Sequence, residues 1–254
     1  MPNLVETGRD GAVAILTLNQ PARRNPLSRA MRAALLDAVE RANGEDAVRA
    51  IVLTGAGGTF SSGGDLGDMN VETLAQGRAR LIDAHRLVKA VMQATKPVIA
   101  AVEGWAAGAG LSLAVACDTV VAAQDARFVA SFAKVGLIGD LGLLHTLPQR
   151  IGHGAARQML LYAQPVAAAE ALGLGLVDQL AAPGDALACA VRHAGLVCDL
   201  APLPLAMHKA VLAAGLDAAL ERELELQSAL YLSADHQEGK RAFLEKRKPV
   251  FRGA

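Results

Sequence analysis

Two glycine-rich turns constrain the fold of this chain more than any other feature of its sequence. Each turn follows a short apolar run and precedes a segment that can start a helix. The turns are Phe60–Leu66 and Gly104–Gly110, and the runs before them are Ala50–Thr54 and Pro97–Val102. Apolar runs of this length, bounded by glycine, are typical of buried strands. The chain is therefore expected to adopt an α/β fold in which strands alternate with helices.

The turns also have a chemical meaning. Glycine has no Cβ, so its backbone N–H can approach a ligand closely. A helix N-terminus adds unpaired N–H donors and the positive end of the helix dipole. Two such turns that converge would aim two donors at a developing negative charge, which is an oxyanion hole. Taken singly, either turn is explained as well by a simple change of chain direction.

Composition gives no reason to expect nucleic acid, a membrane or a metal as partner. The 254 residues balance 25 basic against 25 acidic side chains, and 3% are aromatic. Neutral charge does not favour anionic partners. Cys117, Cys189 and Cys198 show no metal-ligand spacing, and their odd number favours reduced thiols in a cytoplasmic protein. The segment from Met1 to Glu6 lacks a basic leader, so neither a signal peptide nor a transmembrane helix is expected.

The remaining pattern predicts strands and helices in the first 150 residues and mostly helix afterwards. A charged helical region follows Ala201–Pro204. Residues 1–199 are therefore expected to form an α/β core, and residues 200–254 a helical region. The other predicted elements are strands at Val13–Leu18 and Thr119–Ala123, and helices at Ser28–Gly44, Glu72–Thr95, Gly108–Cys117, 154–162, 167–172 and 185–199.

In order and spacing, these segments resemble the crotonase superfamily, the enoyl-CoA hydratase/isomerase family. The resemblance implies a crotonase-like spiral of ββα units, with C-terminal helices that build homotrimers, often paired into hexamers. It also implies an enzyme of acyl-coenzyme A metabolism that needs no cofactor beyond the coenzyme A of its substrate. The matching segments are Pro21–Ser28, Phe60–Leu66, Ala101–Asp118, Val135–Ile138, Leu147–Gly152, Ala171–Asp178, Glu238–Gly239 and Ala242–Phe251.

The resemblance places the two oxyanion donors at the backbone N–H groups of Gly64 and Ala109. Many relatives have glycine in place of Ala109, and alanine serves equally if its φ is negative, as at a helix start. Two of the substrate contacts have a simpler explanation, since Arg24 could be a solvated arginine and Asp65 a cap or turn residue. The contacts that the resemblance implies for the acyl-CoA are Arg24, Ser62, Gly63, Asp65, Leu66, Gly108, Ser112 and Phe132.

The chain departs from the hydratase pattern at both catalytic glutamates. Ser112 and Phe132 occupy those two positions, and neither can transfer a proton as a carboxylate does. Asp140 lies where isomerase-like relatives carry an aspartate acid/base. Moving a double bond from the 3 to the 2 position needs one base, which removes the α-proton and returns it at the γ-carbon. Burial among the neighbouring leucines would raise the pKa of Asp140 and suit it to this shuttle.

Several alternatives remain open at this stage. Asp140 could instead cap a helix that begins at Leu141. The protein could be a hydratase that uses Asp140 and a bound water, or a catalytically silent acyl-CoA-binding protein. Thioester hydrolysis and attack on an aromatic acyl-CoA occur among relatives, but the sequence favours neither. His145 could reach the pocket or pack elsewhere, and candidates to line the acyl site are Leu74, Leu81, Ile138 and Leu143.

Overall fold

The apolar runs form the strands of two β-sheets in the computed structural model, which describes residues 3–254. Met1 and Pro2, on which part of the expected lack of a leader rests, lie outside the described residues. The strands are β1 (Val5–Asp10), β2 (Val13–Leu18), β3 (Ala50–Gly55), β4 (Val98–Val102), β5 (Trp105–Ala107), β6 (Thr119–Ala123), β7 (Arg127–Val129), β8 (Val166–Ala167) and β9 (Gln179–Ala181).

The larger sheet has the strand order β1-β2-β3-β4-β6-β9, and the smaller sheet has the order β5-β7-β8. In the larger sheet β1 is antiparallel to β2, and all later neighbours are parallel. β3 and β4 are buried along nearly their whole length, as continuous apolar runs predict for parallel strands covered on both faces. The strands that precede the two glycine turns are therefore direct neighbours.

Helices cover the sheets and continue toward the C-terminus. The Ser28 side chain caps the first helix by accepting the N–H of Met31 at 3.2 Å, and Thr73 and Gln76 form a capping box at the second. The helices are α1 (Arg29–Gly44), α2 (Leu74–Met92), α3 (Ala109–Ala116), α4 (Leu143–Tyr162), α5 (Ala168–Leu174), α6 (Ala186–Cys198), α7 (Pro202–Leu212), α8 (Leu216–Leu230) and α9 (Ala234–Leu244).

The predicted elements agree with the structure where a pattern extends over a full strand or helix. The strand at Val13–Leu18 and the helices predicted after Ser28 and Gly108 are confirmed. β1 escapes prediction because only its first residue is buried. β5, β7, β8 and β9 are only two or three residues long. Their strand conformation depends on pairing with distant segments, so no local pattern predicts them. The structure places the start of α4 at Leu143, well before the predicted 154. The prediction missed the first part of this helix because Gly152, with a φ of 74°, interrupts the helical pattern.

The C-terminal part of the chain is helical, as expected, although a domain boundary at residue 200 stays a prediction. α8 packs against α2 and α4, and α9 packs against the 3-10 turn Phe132–Val135. Both helices therefore reach the region that follows the second glycine turn. None of the described helices alone is long and apolar enough to cross a membrane, although α6 and α7, bent by 113°, pass that test as a pair.

Candidate active site

Backbone hydrogen bonds hold the two glycine turns together. The turns leave the same edge of the sheet, at the carboxyl ends of β3 and β4, where open α/β sheets bind their ligands. The N–H of Ser61 donates to the carbonyl of Trp105 at 2.9 Å, and the N–H of Ala107 donates to the carbonyl of Ser61 at 3.0 Å. Gly110 lies at this crossing, where a Cβ would come within 2.8 Å of the Ser61 carbonyl oxygen. The crossing therefore requires glycine.

The convergence brings Gly64 and Ala109 to one cavity of about 150 Å³. Ala109 is the first residue of α3 and has a negative φ, as an N–H donor with a side chain requires. Gly63, with a φ of 97°, lies against it, because a Cβ on Gly63 would be 3.4 Å from the Ala109 nitrogen. Within residues 3–254, neither the N–H of Gly64 nor that of Ala109 donates a hydrogen bond. Both donors are thus available to a ligand.

Hydrogen bonds of Asn25 hold the first turn in place, and the sequence gives little sign of this role. The residue is fully buried and has a left-handed φ of 52°. Its Nδ2 donates to the carbonyls of Ala56 at 2.9 Å and Thr59 at 2.7 Å, and its Oδ1 accepts the N–H of Gln20 at 2.9 Å. The hydroxyl of Ser61 donates to the Asn25 carbonyl at 2.7 Å. The only available signal was an Asn-Pro pair, which indicates a turn.

Most of the predicted contact residues line the cavity. Its walls are largely apolar, and Asp140 is the one carboxyl group among the described residues that form them. Phe132, which replaces a hydratase glutamate, forms part of an apolar wall. The lining residues are Ser62, Gly63, Gly64, Leu66, Met69, Gly108, Ala109, Ser131, Phe132, Lys134, Val135, Leu137, Asp140 and Phe243.

Three predicted contacts do not reach the cavity. Ser112 is fully buried, and its hydroxyl donates to the Gly108 carbonyl at 3.4 Å. Asp65 forms an ion pair with Arg23 at 2.9 Å and accepts the N–H of Gly67, so it has the cap role that was its simpler explanation. Arg24 is exposed, and its carbonyl accepts the N–H of Ser62 at 2.8 Å. Contact of Arg24 and Asp65 with the outer part of coenzyme A stays a prediction.

The acyl wall differs from the four hydrophobic residues expected to form it. Leu81 and Leu143 point into the core, and Leu74 is 49% exposed. His145 contacts Gln149 at 3.0 Å and does not line the cavity. None of these residues is part of the wall, and neither is Ile138. The wall consists instead of Leu66, Met69, Phe132, Val135, Leu137 and Phe243. Leu66 and Phe132 were expected as substrate contacts, whereas sequence spacing could not assign the other four, because they come from separate turns and from α9.

Asp140 is the acidic group of the cavity. Its side chain is buried, and its Oδ1 has no hydrogen-bond partner among the described residues. Burial raises the pKa of Asp140 to about 7, and the negative charge of Glu223 contributes in the same direction. The positive charges of Arg32 and Arg80 act against this rise. A carboxyl group that titrates near neutral pH can both accept and return a proton.

The structure rules out the alternative in which Asp140 caps a helix. α4 begins at Leu143 rather than Leu141, and the Asp140 side chain donates to and accepts from none of the backbone groups at its start. Glu223 takes that place, because its carboxylate accepts the N–H groups of Leu141 and Gly142, each at 2.8 Å. The Asp140 carboxyl group is therefore left for the cavity.

Comparison with known proteins supports the fold. The family model for enoyl-CoA hydratase/isomerase matches residues 8–254. A probable enoyl-CoA hydratase of Rhodobacter capsulatus is 41% identical over 246 residues, which are 95% of each chain. A 1,2-epoxyphenylacetyl-CoA isomerase of Escherichia coli K12 is 35% identical, again over 95% of each chain. The crystal structure of an enoyl-CoA hydratase from Mycobacterium avium subsp. paratuberculosis K-10 matches with a TM-score of 0.88, 32% identity and 98% coverage of both chains. The predicted crotonase-like fold is thereby confirmed.

Proposed function

The chain belongs to the enoyl-CoA hydratase/isomerase family, and on that premise we propose that it moves the double bond of an enoyl-CoA from the 3 to the 2 position. The family makes it an acyl-CoA enzyme of the hydratase/isomerase type. The isomerase assignment rests on one observation: among the described residues, Asp140 is the one carboxyl group that lines the cavity. By the resemblance, Ser112 and Phe132 stand where hydratases carry their two glutamates. One carboxyl group is sufficient for isomerisation, whereas the usual hydration route uses two.

The proposed reaction returns every proton that it removes. The thioester oxygen accepts hydrogen bonds from the N–H groups of Gly64 and Ala109. The Asp140 carboxylate removes a proton from C2 of the 3-enoyl thioester, and the electrons move into a dienolate that the two donors stabilise. The Asp140 carboxylic acid then protonates C4, which leaves the double bond between C2 and C3. Substrate and product are isomers, and Asp140 ends ionised, as it began.

Apolar surroundings support isomerisation over hydration. Phe132 lies in the wall and its side chain cannot hold a catalytic water, and Ser112 lies outside the cavity. The second candidate function is hydration by Asp140 and a water, favoured by the Rhodobacter capsulatus relative, whose name is that of a hydratase. The Escherichia coli relative, named an isomerase, favours the first. A silent acyl-CoA-binding protein is the third possibility, and it would not need Asp140.

Steady-state turnover of a 3-enoyl-CoA and a 2-enoyl-CoA by wild type and Asp140→Asn distinguishes these functions. We expect isomerisation of the 3-enoyl ester, a loss of about 10²- to 10⁴-fold in kcat for the variant, and a nearly unchanged KM. The matched control is Asp10→Asn, an exposed aspartate at the end of β1, which should leave turnover unchanged. Hydration that survives in Asp140→Asn would exclude the mechanism, and tight binding without turnover would indicate a binding protein.

We also propose that the chain assembles as a homotrimer or a dimer of trimers. Exposed apolar side chains support this assembly, because Leu203, Met207 and Val211 follow one face of α7 at four-residue spacing and are each at least 65% exposed. Contiguous apolar surface of this kind favours association. Light scattering coupled to size-exclusion chromatography should give three or six times the chain mass, and a monomer at micromolar concentration would contradict the proposal. A cytoplasmic location and independence of added cofactors stay predictions.

A further inference from the structure

Two side chains of α8 form hydrogen bonds with the turn that carries Asp140. Glu223 binds the two residues that follow Asp140: its Oε1 accepts the N–H of Leu141 and its Oε2 accepts the N–H of Gly142, each at 2.8 Å. Gln227, one helical turn further along α8, binds a residue that precedes Asp140. Its Oε1 accepts the N–H of Ile138 at 3.0 Å, and its Nε2 donates to the Ile138 carbonyl at 3.1 Å. We call Glu223 and Gln227 the α8 clamp.

The turn held by the clamp has an unusual backbone. Leu141 has a φ of 54° and Gly142 a φ of 74°, so two successive residues are left-handed. A leucine rarely adopts this conformation, and it persists only where the surroundings compensate for the strain. Successive backbone N–H groups in a turn can point to one side and form an anion-binding nest, and the N–H groups of Leu141 and Gly142 do so here. The Glu223 carboxylate occupies that nest.

The clamp is itself buried and fully bonded. Glu223 is 2% exposed, and Gln227 is fully buried. The Nε2 of His85, on α2, donates to Oε1 of Glu223 at 2.8 Å, so the carboxylate accepts hydrogen bonds from three donors. A buried carboxylate is costly unless its oxygens are bonded in this way. These contacts define a specific site for Glu223 rather than an accidental burial.

We propose that Glu223 is a positioning residue, which holds the Asp140 carboxyl group at the acyl cavity through the turn that follows it. The importance of Glu223 for catalysis rests on the proposed isomerase function, whereas its effect on the position of Asp140 is independent of that function. Glu223 contacts the turn through the N–H groups of Leu141 and Gly142 and does not itself line the cavity. Gln227 supports the same turn from its other side.

The charge of Glu223 has a second effect on Asp140. Several groups that carry or can carry charge lie near the carboxyl group: Arg32 from α1, Arg80 from α2, Glu223 from α8, and Tyr231 just after it. His85 from α2 contacts Glu223. After burial, the charge of Glu223 is the main influence that raises the pKa of Asp140, and the two arginines and a hydrogen bond from Gln227 lower it. Without that charge, burial alone would oppose the arginines, and Asp140 would hold its proton less tightly at neutral pH.

The central variant is Glu223→Gln, which keeps the size of the side chain and removes its charge. Its amide group would also turn an N–H donor toward a backbone N–H, so one of the two turn contacts is lost. We expect kcat to fall by about 10-fold or more with KM changed less than about 3-fold. Glu221→Gln, an exposed neighbour on α8, is the matched control and should change neither constant.

The deciding readout is the titration of the Asp140 carboxyl carbon, followed by ¹³C NMR on protein labelled at aspartate and assigned by the missing signal in Asp140→Asn. We expect its midpoint to lie lower in Glu223→Gln than in wild type and unchanged in Glu221→Gln. If Glu223→Gln does not fold, Glu223→Asp replaces it. This variant keeps the charge but shortens the reach, so it should lower kcat while the Asp140 midpoint stays near that of wild type.

A folded Glu223→Gln protein whose Asp140 titrates as in wild type would overturn the inference. So would a Glu223→Asp protein with the wild-type kcat, or a loss of turnover that lies only in KM. Because the titration needs no substrate, it separates the two proposals. A lowered Asp140 midpoint in an enzyme that isomerises no 3-enoyl-CoA would refute the proposed function and support the role of Glu223.

Discussion

Replacing Asp140 by asparagine should make the folded protein more stable at alkaline pH, although the same change removes the proposed acid/base. Burial raises the pKa of Asp140 from 3.8 to about 7. The folded state therefore holds this proton more tightly than the unfolded chain does. The stability that this adds is fully present below pH 3.8 and is lost as the pH rises to about 7. Above pH 7, the folded protein bears the full cost of a buried, ionised carboxylate.

The size of the effect follows from the two pKa values. Each pH unit between them is worth about 1.4 kcal/mol, so relative to low pH the folded protein loses about 2 kcal/mol at pH 5, where Asp140 is still protonated, and at most about 4 kcal/mol above pH 7. Asparagine has nearly the same shape and no charge, so it avoids this cost. In a chain of this size, 1 kcal/mol shifts Tm by about 2–4 °C. The variant should therefore melt several degrees above wild type at pH 8.

Differential scanning calorimetry of wild type and Asp140→Asn from pH 4 to pH 9 measures this effect. The Tm difference should be near zero at pH 4, grow between pH 5 and pH 7, and then level off. Asp10→Asn is the control, and its exposed side chain should give a small difference that does not change with pH. A Tm difference for Asp140→Asn that is flat with pH, or that has the opposite sign at pH 8, would refute the reasoning.

Three further substitutions test how the site is built. Gly63→Ala should abolish turnover and lower Tm, because its Cβ would lie 2.6 Å from the Ala107 carbonyl oxygen at a φ of 97°; kinetics and calorimetry check this. Asn25→Ala leaves two buried carbonyls and one N–H unpaired, so urea unfolding should show a loss of about 3 kcal/mol or more. Lys209→Met unpairs Asp118, which is one-third exposed, and the same assay should show a loss of about 2 kcal/mol.

The residues that sequence could identify are those whose role is local. Gly64 and Ala109 lie in turns between a strand and a turn or helix, so neighbouring residues alone predict backbone donors there, and the family resemblance assigns the two residues. Asp140 is identifiable for a different reason, since it is the only acid between Phe132 and α4. The local pattern indicated the two turns, and the family resemblance assigned Gly64, Ala109 and Asp140, all of which line the cavity.

The residues that sequence could not identify act over long separations. Glu223 lies in the run Glu221–Glu225, which is typical of a charged, solvated helix face. Its burial depends on the packing of α8 against α2 and α4, and it binds a turn some 82 residues away. Phe243 reaches the cavity only because α9 packs against the turn that follows β7. No periodicity within a single element encodes these contacts, so they emerge only with the tertiary structure.

The measurement that tests the account most directly follows a deuterium atom from C2 to C4. A 3-enoyl-CoA carrying deuterium at C2 is converted in ordinary water, and NMR locates the label in the product. Because Asp140 is only 8% exposed, the deuteron that its carboxyl group removes should return to C4 in a measurable fraction of turnovers before it exchanges with solvent. Deuterium at C4 of a 2-enoyl product is the predicted result. A 3-hydroxyacyl-CoA product, or isomerisation that leaves no deuterium at C4, would contradict a single shuttle at Asp140.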